Sequence, residues 1–143
     1  MPGPTIHLYS FGFKYGGPPP DESANAGGFV FDCRALPNPY WDVALRPFPG
    51  TAPAVVRFFE AQSEVGDYAA HATQLVLFTA RTYTRLERNR LMVAFGCTGG
   101  RHRSVYLAER LKFDLEREGF AVVLIHRDLH RAEGASSGQE ACP

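Results

Sequence analysis

Apolar and polar positions along the chain repeat with two periods, and each period predicts a kind of element. Four short segments have the alternating or continuously apolar pattern of β-strands: residues 5–9, 29–34, 91–95 and 120–125. The second segment is predicted to be a buried strand that ends in a charge pair, Asp32 and Arg34. The last two enclose a helical pattern, which predicts a right-handed β-α-β unit with parallel strands.

Apolar residues at helical spacing fill the intervals. Thr51 is predicted to cap a short helix with Pro53 in its first turn. A longer helix is predicted over residues 64–88, and a third is predicted to end at Gly119 as its C-cap. This order predicts a single small α/β sandwich over residues 1–132, with about four mostly parallel strands and flanking helices. Residues 133–143 have the composition of a disordered tail.

Several segments with reactive or charged side chains each follow a predicted strand. In open α/β sheets, ligands bind beyond the carboxyl ends of the strands. We therefore expect these segments to meet at one edge of the sheet. They contain Lys14, Arg34, Asn38, Tyr40, Arg127 and the turn at residues 97–104.

The turn at residues 97–104 has the pattern of a phosphate-binding loop. Gly99 and Gly100 allow positive φ and a close approach of the backbone to a ligand. A strand, a glycine turn and a helix N-terminus together present backbone N–H groups to an anion. Hydroxyl donors and positive charge suited to phosphate come from Thr98, Arg101, His102, Arg103 and Ser104. The alternative is a strand–helix turn that needs only its glycines, with its arginines solvated.

Arg103 is the side chain expected to bind two phosphate oxygens at once. Replacing it with Lys is expected to weaken ligand binding and to leave folding stability nearly unchanged, as at a surface position.

A second interpretation of the same turn is enzymatic. Cys97 and Arg103 have the Cys-x5-Arg spacing of cysteine-dependent phosphatases, and Ser104 follows the arginine. In such a loop a thiolate attacks phosphorus, and the arginine holds the other oxygens. Gly96 stands where these enzymes usually have His. The candidates for the general acid are Asp32, Asp42 and Asp128.

Composition narrows the range of partners. The chain has 143 residues, 45% of them apolar, and 15 basic residues balance 15 acidic ones. A net charge of zero does not produce the long-range field of a nucleic-acid binder. Cys33, Cys97 and Cys142 lack disulfide or metal spacing, which favours a reducing compartment. No signal peptide and no membrane span are apparent, so we expect a cytoplasmic protein without cofactor or metal.

Three arginines recur on one face of the long predicted helix, namely Arg81, Arg85 and Arg88. A solvated face near the helix C-terminus is one interpretation, and an RNA-binding surface is the other. The neutral net charge favours the first.

Five motifs occur in a fixed order along the chain. They are Phe11-Gly12-Phe13-Lys14-Tyr15-Gly16, Phe31-Asp32-Cys33-Arg34 with Leu36-Pro37-Asn38-Pro39-Tyr40-Trp41, Leu45-Arg46-Pro47 with Gly50, Gly96-Cys97-Thr98-Gly99-Gly100-Arg101-His102-Arg103-Ser104-Val105-Tyr106, and His126-Arg127-Asp128-Leu129. Together they resemble the C-terminal domain of the RNase adapter RapZ family, over about residues 5–131.

The resemblance implies a sugar-phosphate-binding module that senses glucosamine-6-phosphate. It also implies, for enterobacterial relatives, binding of a small RNA that is presented to an endoribonuclease. The implied phosphate contacts are Thr98, Gly99, Gly100, His102, Arg103 and Ser104. Tyr40 stands where some relatives have His. The chain has neither the Gly-x4-Gly-Lys-Ser/Thr motif of the relatives' N-terminal domain nor a C-terminal Lys/Arg cluster. We therefore expect a stand-alone domain without ATP or GTP binding.

The residues and the resemblance together predict a ligand-binding sensor domain. It would bind a phosphorylated amino sugar, such as glucosamine-6-phosphate, or a similar anion at residues 97–104, with help from Lys14, Arg34, Asn38 and Tyr40. The alternatives are a phosphatase that uses Cys97 and an RNA-binding adapter acting in small-RNA processing. The sequence leaves the sugar and the oligomeric state open, a homo-oligomer included.

Overall fold

Four parallel strands form one sheet in the computed structural model, which describes residues 3–21 and 27–131. The strands are β1 (Thr5–Gly12), β2 (Gly28–Asp32), β3 (Arg90–Cys97) and β4 (Ala121–His126). Their order is β2-β3-β1-β4, and every neighbouring pair is parallel. The predicted α/β class and four-stranded sheet are therefore confirmed. Because all four strands run the same way, all their carboxyl ends lie at one edge.

Three α-helices complete the described part of the chain: α1 (Pro53–Glu60), α2 (Ser63–Arg85) and α3 (Arg103–Arg117). Pro53 fits the first turn of α1 because the N–H that proline lacks has no helical acceptor there. Thr51 is not the cap of that helix. The N-cap is Ala52, which makes no side-chain capping bond. The C-cap of α3 is Glu118, and Gly119, which was predicted to be the cap, is the next residue, with a φ of 93° that disfavours any side chain.

The helices pack on one face of the sheet and bury a single large apolar cluster. Ile6 and Leu8 of β1 point into this cluster, as the alternating pattern predicted. The buried residues of α2 recur every three or four positions, so they form one stripe along the helix that also faces this cluster. They are Val65, Ala69, Ala72, Val76 and Ala80. Removal of such apolar surface from water is the main term that favours folding.

The strand β2 lies at the edge of the sheet, so the prediction of a buried strand is wrong. Val30 is 47% exposed, and Phe29 and Phe31 are only partly buried against the core. An apolar run predicts burial, but β2 has a neighbour, β3, on one side only. The strand ends at Asp32, which leaves Arg34 in the loop that follows.

Of two further predictions, one concerns residues outside the described part of the chain and the other can be checked only within it. The predicted disordered tail at residues 133–143 lies outside them and stays a prediction. Within them, no helix combines the length and apolar character that crossing a membrane requires.

Candidate functional site

The turn at residues 97–104 places consecutive backbone N–H groups at the carboxyl edge of the sheet. Within the described residues, no hydrogen bond uses the N–H groups of Gly99, Gly100, Arg101 or His102. These groups come directly before the N-terminus of α3, where the helix dipole is positive. The arrangement is a concentration of unused donors that suits an anion.

Glycine at the turn also serves packing within the protein. Gly100 has the predicted positive φ, 73°, whereas Gly99 is not among the positive-φ residues. A Cβ on Gly100 would lie 2.6 Å from the nitrogen of Gly12, and one on Gly12 would lie 2.6 Å from the carbonyl carbon of Gly99. Both distances are too short for a side chain. On this side of the turn, therefore, the close backbone contact is with the end of β1.

The three basic side chains of the turn bind main-chain carbonyls of residues 33–50, a segment that we call the anchored loop. The pairs are Arg101 Nη2 with Pro47 O, His102 Nε2 with Phe48 O at 2.7 Å, and Arg103 Nη1 with Arg34 O at 2.7 Å and Leu36 O at 3.2 Å. Gly50 N donates in return to Arg101 O at 2.8 Å. A short run of basic residues thus holds a long loop over the strand ends at three places.

His102 contributes no charge to the site at neutral pH. Burial lowers the pKa of His102 to about 4, and its hydrogen bond to the Phe48 carbonyl opposes this only in part. Because Phe48 O is an acceptor, the neutral ring has its proton on Nε2. The expectation of a charged His102 at this turn is therefore wrong.

Arg103 is not a surface residue. It is only 3% exposed, and its two bonds to carbonyls contribute to the position of the anchored loop. The premise that Arg103 is a surface position is therefore wrong, and we now expect its replacement to lower stability. Arg101 is more exposed, but its Nη1 atom is buried and has no hydrogen-bond partner in the described part of the chain. An unsatisfied buried donor costs about 1–3 kcal/mol, which an added acceptor would relieve.

Cys97 ends β3 beneath the turn. Its Sγ lies 3.2 Å from Ser104 Oγ and 3.4 Å from Ser104 N. Cys33, at the end of the neighbouring strand, directs its own Sγ to Gly96 O at 3.0 Å. Burial raises the pKa of Cys33 well above its usual range, with a smaller contribution from Cys97. Cys33 is therefore a neutral thiol.

Two of the three candidate general acids are ionised. The hydrogen bond from Arg34 lowers the pKa of Asp32, against the weaker effect of burial. Burial alone would raise the pKa of Asp128, but hydrogen bonds from Arg127, the Gly12 N–H and Arg131 together hold it below its usual value. A general acid must hold a proton at neutral pH, so neither fits the role. The third, Asp42, accepts a hydrogen bond from Ala44 N at 2.9 Å.

Asp128 instead supports the site, a role that the sequence did not predict. It is fully buried and accepts from Gly12 N at 2.7 Å, which positions the end of β1 under the turn. Arg127 and Arg131 pair with its carboxylate at 2.9 and 2.6 Å. The only sequence signal was the charged pair that follows β4, and nothing in that pattern predicts a buried carboxylate.

The predicted contributors from β1 and β2 do lie at this edge. Lys14 is exposed, and its backbone N–H bonds to Thr98 O at 3.2 Å. The Arg34 guanidinium lies 3.9 Å from the ring centroid of Phe13 and pairs with Asp32. Both cations therefore flank the turn while remaining accessible to solvent.

Asn38 and Tyr40 lie midway along the anchored loop. Asn38 Oδ1 accepts from Tyr40 N at 3.1 Å, which begins a short 3-10 helix at Pro39–Trp41. The Arg46 guanidinium lies 4.4 Å from the centre of the Tyr40 ring. Their contact with a ligand stays a prediction.

A groove of about 710 Å³ lies elsewhere, between α1 and α3. Its charged lining residues are Glu60, Glu109, Asp114 and Arg110. Three acids against one base disfavour a phosphate, so this groove does not compete with the turn as an anion site.

The chain resembles one part of a set of longer proteins. The family model for the RapZ C-terminal domain matches residues 4–130. A protein named nucleotide-binding protein from Laribacter hongkongensis is 45% identical over 126 residues, and one from Saccharophagus degradans is 43% identical over 133. These matches cover 88% and 93% of this chain but only 43% and 44% of the relatives. The chain thus spans less than half the length of these curated relatives.

Proposed function

Because the chain belongs to the RapZ C-terminal domain family, we propose that it binds a phosphorylated amino sugar, such as glucosamine-6-phosphate, or a similar small anion. The site is the turn at residues 97–104. The observation that carries the proposal is the run of backbone N–H groups at Gly99, Gly100, Arg101 and His102, which no hydrogen bond within the described residues uses.

The free energies of hydrogen bonds to a charged phosphate are large enough to give the turn a measurable affinity for a sugar phosphate. Hydrogen bonds to a charged group contribute about 1.5–3 kcal/mol each. Several of them reach micromolar affinity after the costs of association and ordering. Lys14 and Arg34 flank the turn as exposed cations and add attraction for a dianion. Asn38 and Tyr40, on the anchored loop, supply amide and hydroxyl groups suited to a sugar.

Calorimetric titration tests the proposal with three ligands: glucosamine-6-phosphate, glucosamine and inorganic phosphate. The first should bind, the second should not, and phosphate should bind more weakly than the sugar phosphate. Equal affinity for glucosamine and its phosphate would show that the turn does not recognise the anion.

The two lysines of the chain provide a matched pair of variants. Lys14→Ala removes a cation beside the turn and should weaken sugar-phosphate binding by about fivefold. Lys112→Ala removes one on α3, where Lys112 pairs with Glu116 at 3.3 Å. That change should leave binding unaltered. If both variants bind as the parent does, Lys14 has no part in the site.

A cysteine-dependent phosphatase is the second candidate. One observation favours it, namely that the Ser104 hydroxyl and N–H both lie at the Cys97 sulfur, the atom that would attack phosphorus. The ionised states of Asp32 and Asp128 weigh against it, since neither can protonate a leaving group. Release of phosphate from a sugar phosphate by the parent, and its loss in Cys97→Ser, would support this candidate over simple binding.

Two other activities are not proposed. Nucleotide binding belongs by name to relatives of which this chain spans less than half, and the chain has no Gly-x4-Gly-Lys-Ser/Thr motif. For RNA, the Arg81 side chain pairs with Glu118 at 3.0 Å, as expected of a solvated helix face.

The scattered cysteines support a cytoplasmic location.

A further inference from the structure

Two free cysteines lie next to each other at the ends of neighbouring strands. Asp32, the last residue of β2, pairs with Gly96 of β3, and Cys33 and Cys97 are the residues that follow these two along the chain. The pairing continues to Cys33, whose N–H donates to Gly96 O at 2.9 Å. Adjacent strands are about 4.8 Å apart, within the Cα separations of about 4.4–6.8 Å that disulfides bridge. Both side chains pack in the same buried cluster.

Each cysteine also lies in a different part of the proposed anion site: Cys97 in the turn, and Cys33 in the anchored loop. Cys97 Sγ lies at the N–H and hydroxyl of Ser104, in the first turn of α3. Cys33 directly precedes Arg34, whose carbonyl accepts a hydrogen bond from Arg103. A covalent bond between the two sulfurs would therefore pull on the turn and on the anchored loop together.

We propose that Cys33 and Cys97 form a reversible disulfide that switches the anion site off under oxidation. The switch rests on the proposed function, because it acts on binding at the same turn. In the reduced protein, Cys97 Sγ contacts Ser104 and the turn has its binding shape. In the oxidised protein, Cys97 Sγ moves toward Cys33 and those contacts are lost.

Hydrogen peroxide is a sufficient oxidant. Cys97 reacts first, because the N–H and hydroxyl of Ser104 lie at its sulfur, whereas Cys33 is held as a neutral thiol. The Cys97 sulfur attacks a peroxide oxygen, the O–O bond breaks, and the released hydroxide takes the thiol proton to form water. The Cys33 sulfur then attacks the sulfenic sulfur, the S–O bond breaks, and a second water leaves. Two thiols lose two electrons and two protons, and peroxide becomes two waters.

Burial sets the rate rather than the outcome. Cys33 and Cys97 are 0% and 2% exposed, so peroxide reaches Cys97 only when the protein opens locally. The second step needs no access from solvent, because both cysteine side chains pack in the same buried cluster. We therefore expect slow oxidation that ends in a single product, the intramolecular disulfide.

The experiment uses the full chain with Cys142→Ser, which removes the third thiol. The protein is treated with hydrogen peroxide, free thiols are alkylated after denaturation, and peptides are mapped by mass spectrometry. A Cys33–Cys97 link is expected. Affinity for glucosamine-6-phosphate, measured by calorimetry, should fall by about tenfold, the equivalent of one charge-assisted hydrogen bond, and dithiothreitol should restore it. Cys33→Ala in the same background cannot form the link, so its affinity should fall less than that of the parent after the same limited peroxide treatment.

Three results would overturn the switch: both cysteines alkylated, each oxidised separately without a link, or a link that leaves affinity unchanged. The native pair decides this even if Cys33→Ala is unstable. Failure of the proposed function has a separate signature. In that case the reduced protein does not bind the sugar phosphate, and the switch falls with it, while the peptide map alone still decides whether the disulfide forms.

Discussion

Two groups of three basic residues look alike in the sequence and differ in almost every physical respect. Arg101, His102 and Arg103 form one group at the turn of residues 97–104. Arg81, Arg85 and Arg88 form the other, on and just beyond α2. At the turn, Arg103 and His102 are 3% and 4% exposed, and all three side chains bind loop carbonyls. Arg81, Arg85 and Arg88 are all exposed.

The exposed group has ordinary surface partners. Arg81 pairs with Glu118, Arg85 donates to a threonine one turn away, and Arg88 lies over the Tyr83 ring. Water competes for each of these contacts, so their net contribution is small. His102 and Arg103 are buried, so water competes much less for their bonds to the loop carbonyls, whereas Arg101 is only partly buried. Burial, more than charge, decides what a basic side chain contributes.

The largest expected effect separates the two groups by stability. Arg103→Met removes the donor to Arg34 O and Leu36 O and should lower the free energy of unfolding by about 3–5 kcal/mol. Arg81→Met, the matched exposed change, should stay within about 0.5 kcal/mol. Urea unfolding of both variants measures the difference. Equal small losses would mean that the buried bonds do not hold the anchored loop.

The second effect is a pH dependence that only the buried group can produce. The pKa of His102 is about 4 in the folded protein and near 6.5 when unfolded, so the unfolded chain binds the extra proton first as pH falls. The stability that the neutral ring contributes is present above about pH 6.5, and about 3 kcal/mol of it is lost by pH 4. His102→Gln keeps an N–H for Phe48 O but cannot titrate. Its melting temperature should fall less between pH 7 and pH 4.5, and parallel curves for parent and variant would contradict this account.

A smaller effect is expected at the half-exposed member of the turn. Arg101→Met deletes the bond to Pro47 O, but relief of the unsatisfied buried donor offsets that loss, so stability should change by less than about 1 kcal/mol. It also removes the buried, unpartnered Nη1 atom, so glucosamine-6-phosphate should bind more weakly to the variant. Thermal melts and calorimetric titration read the two quantities separately. Unchanged affinity would show that this nitrogen does not face the ligand.

The smallest effect is expected on α2. Arg85→Lys preserves the charge on an exposed surface and should change stability by less than about 0.5 kcal/mol. Affinity for the sugar phosphate should also match the parent, because this helix face lies away from the carboxyl edge. A clear loss of binding in Arg85→Lys would place part of the site on α2.

The sequence predicted the strands and helices well because their signals are local. Alternation placed Ile6 and Leu8 in the core, and the apolar stripe of α2 was visible in its spacing. Parallel strands then bring the carboxyl ends together, which is why the sequence alone predicts Lys14 and Arg34 at one edge of the sheet. The cap at Thr51 failed because the capping preference is a weak term that tertiary contacts override.

What the sequence determined by itself is the α/β fold, the glycine turn between β3 and α3, and the basic residues at that turn. These follow from patterns of one to four residues. Only the tertiary structure decided that β2 lies at an edge, that His102 is neutral, and that Arg103 and Asp128 are buried. Burial depends on segments distant in the chain, here the anchored loop folding over the turn and β4 running beside β1. A charged residue in the sequence therefore predicts a hydrogen-bond donor or acceptor. The surroundings of its side chain in the folded protein decide whether the partner is water, a carbonyl or a ligand.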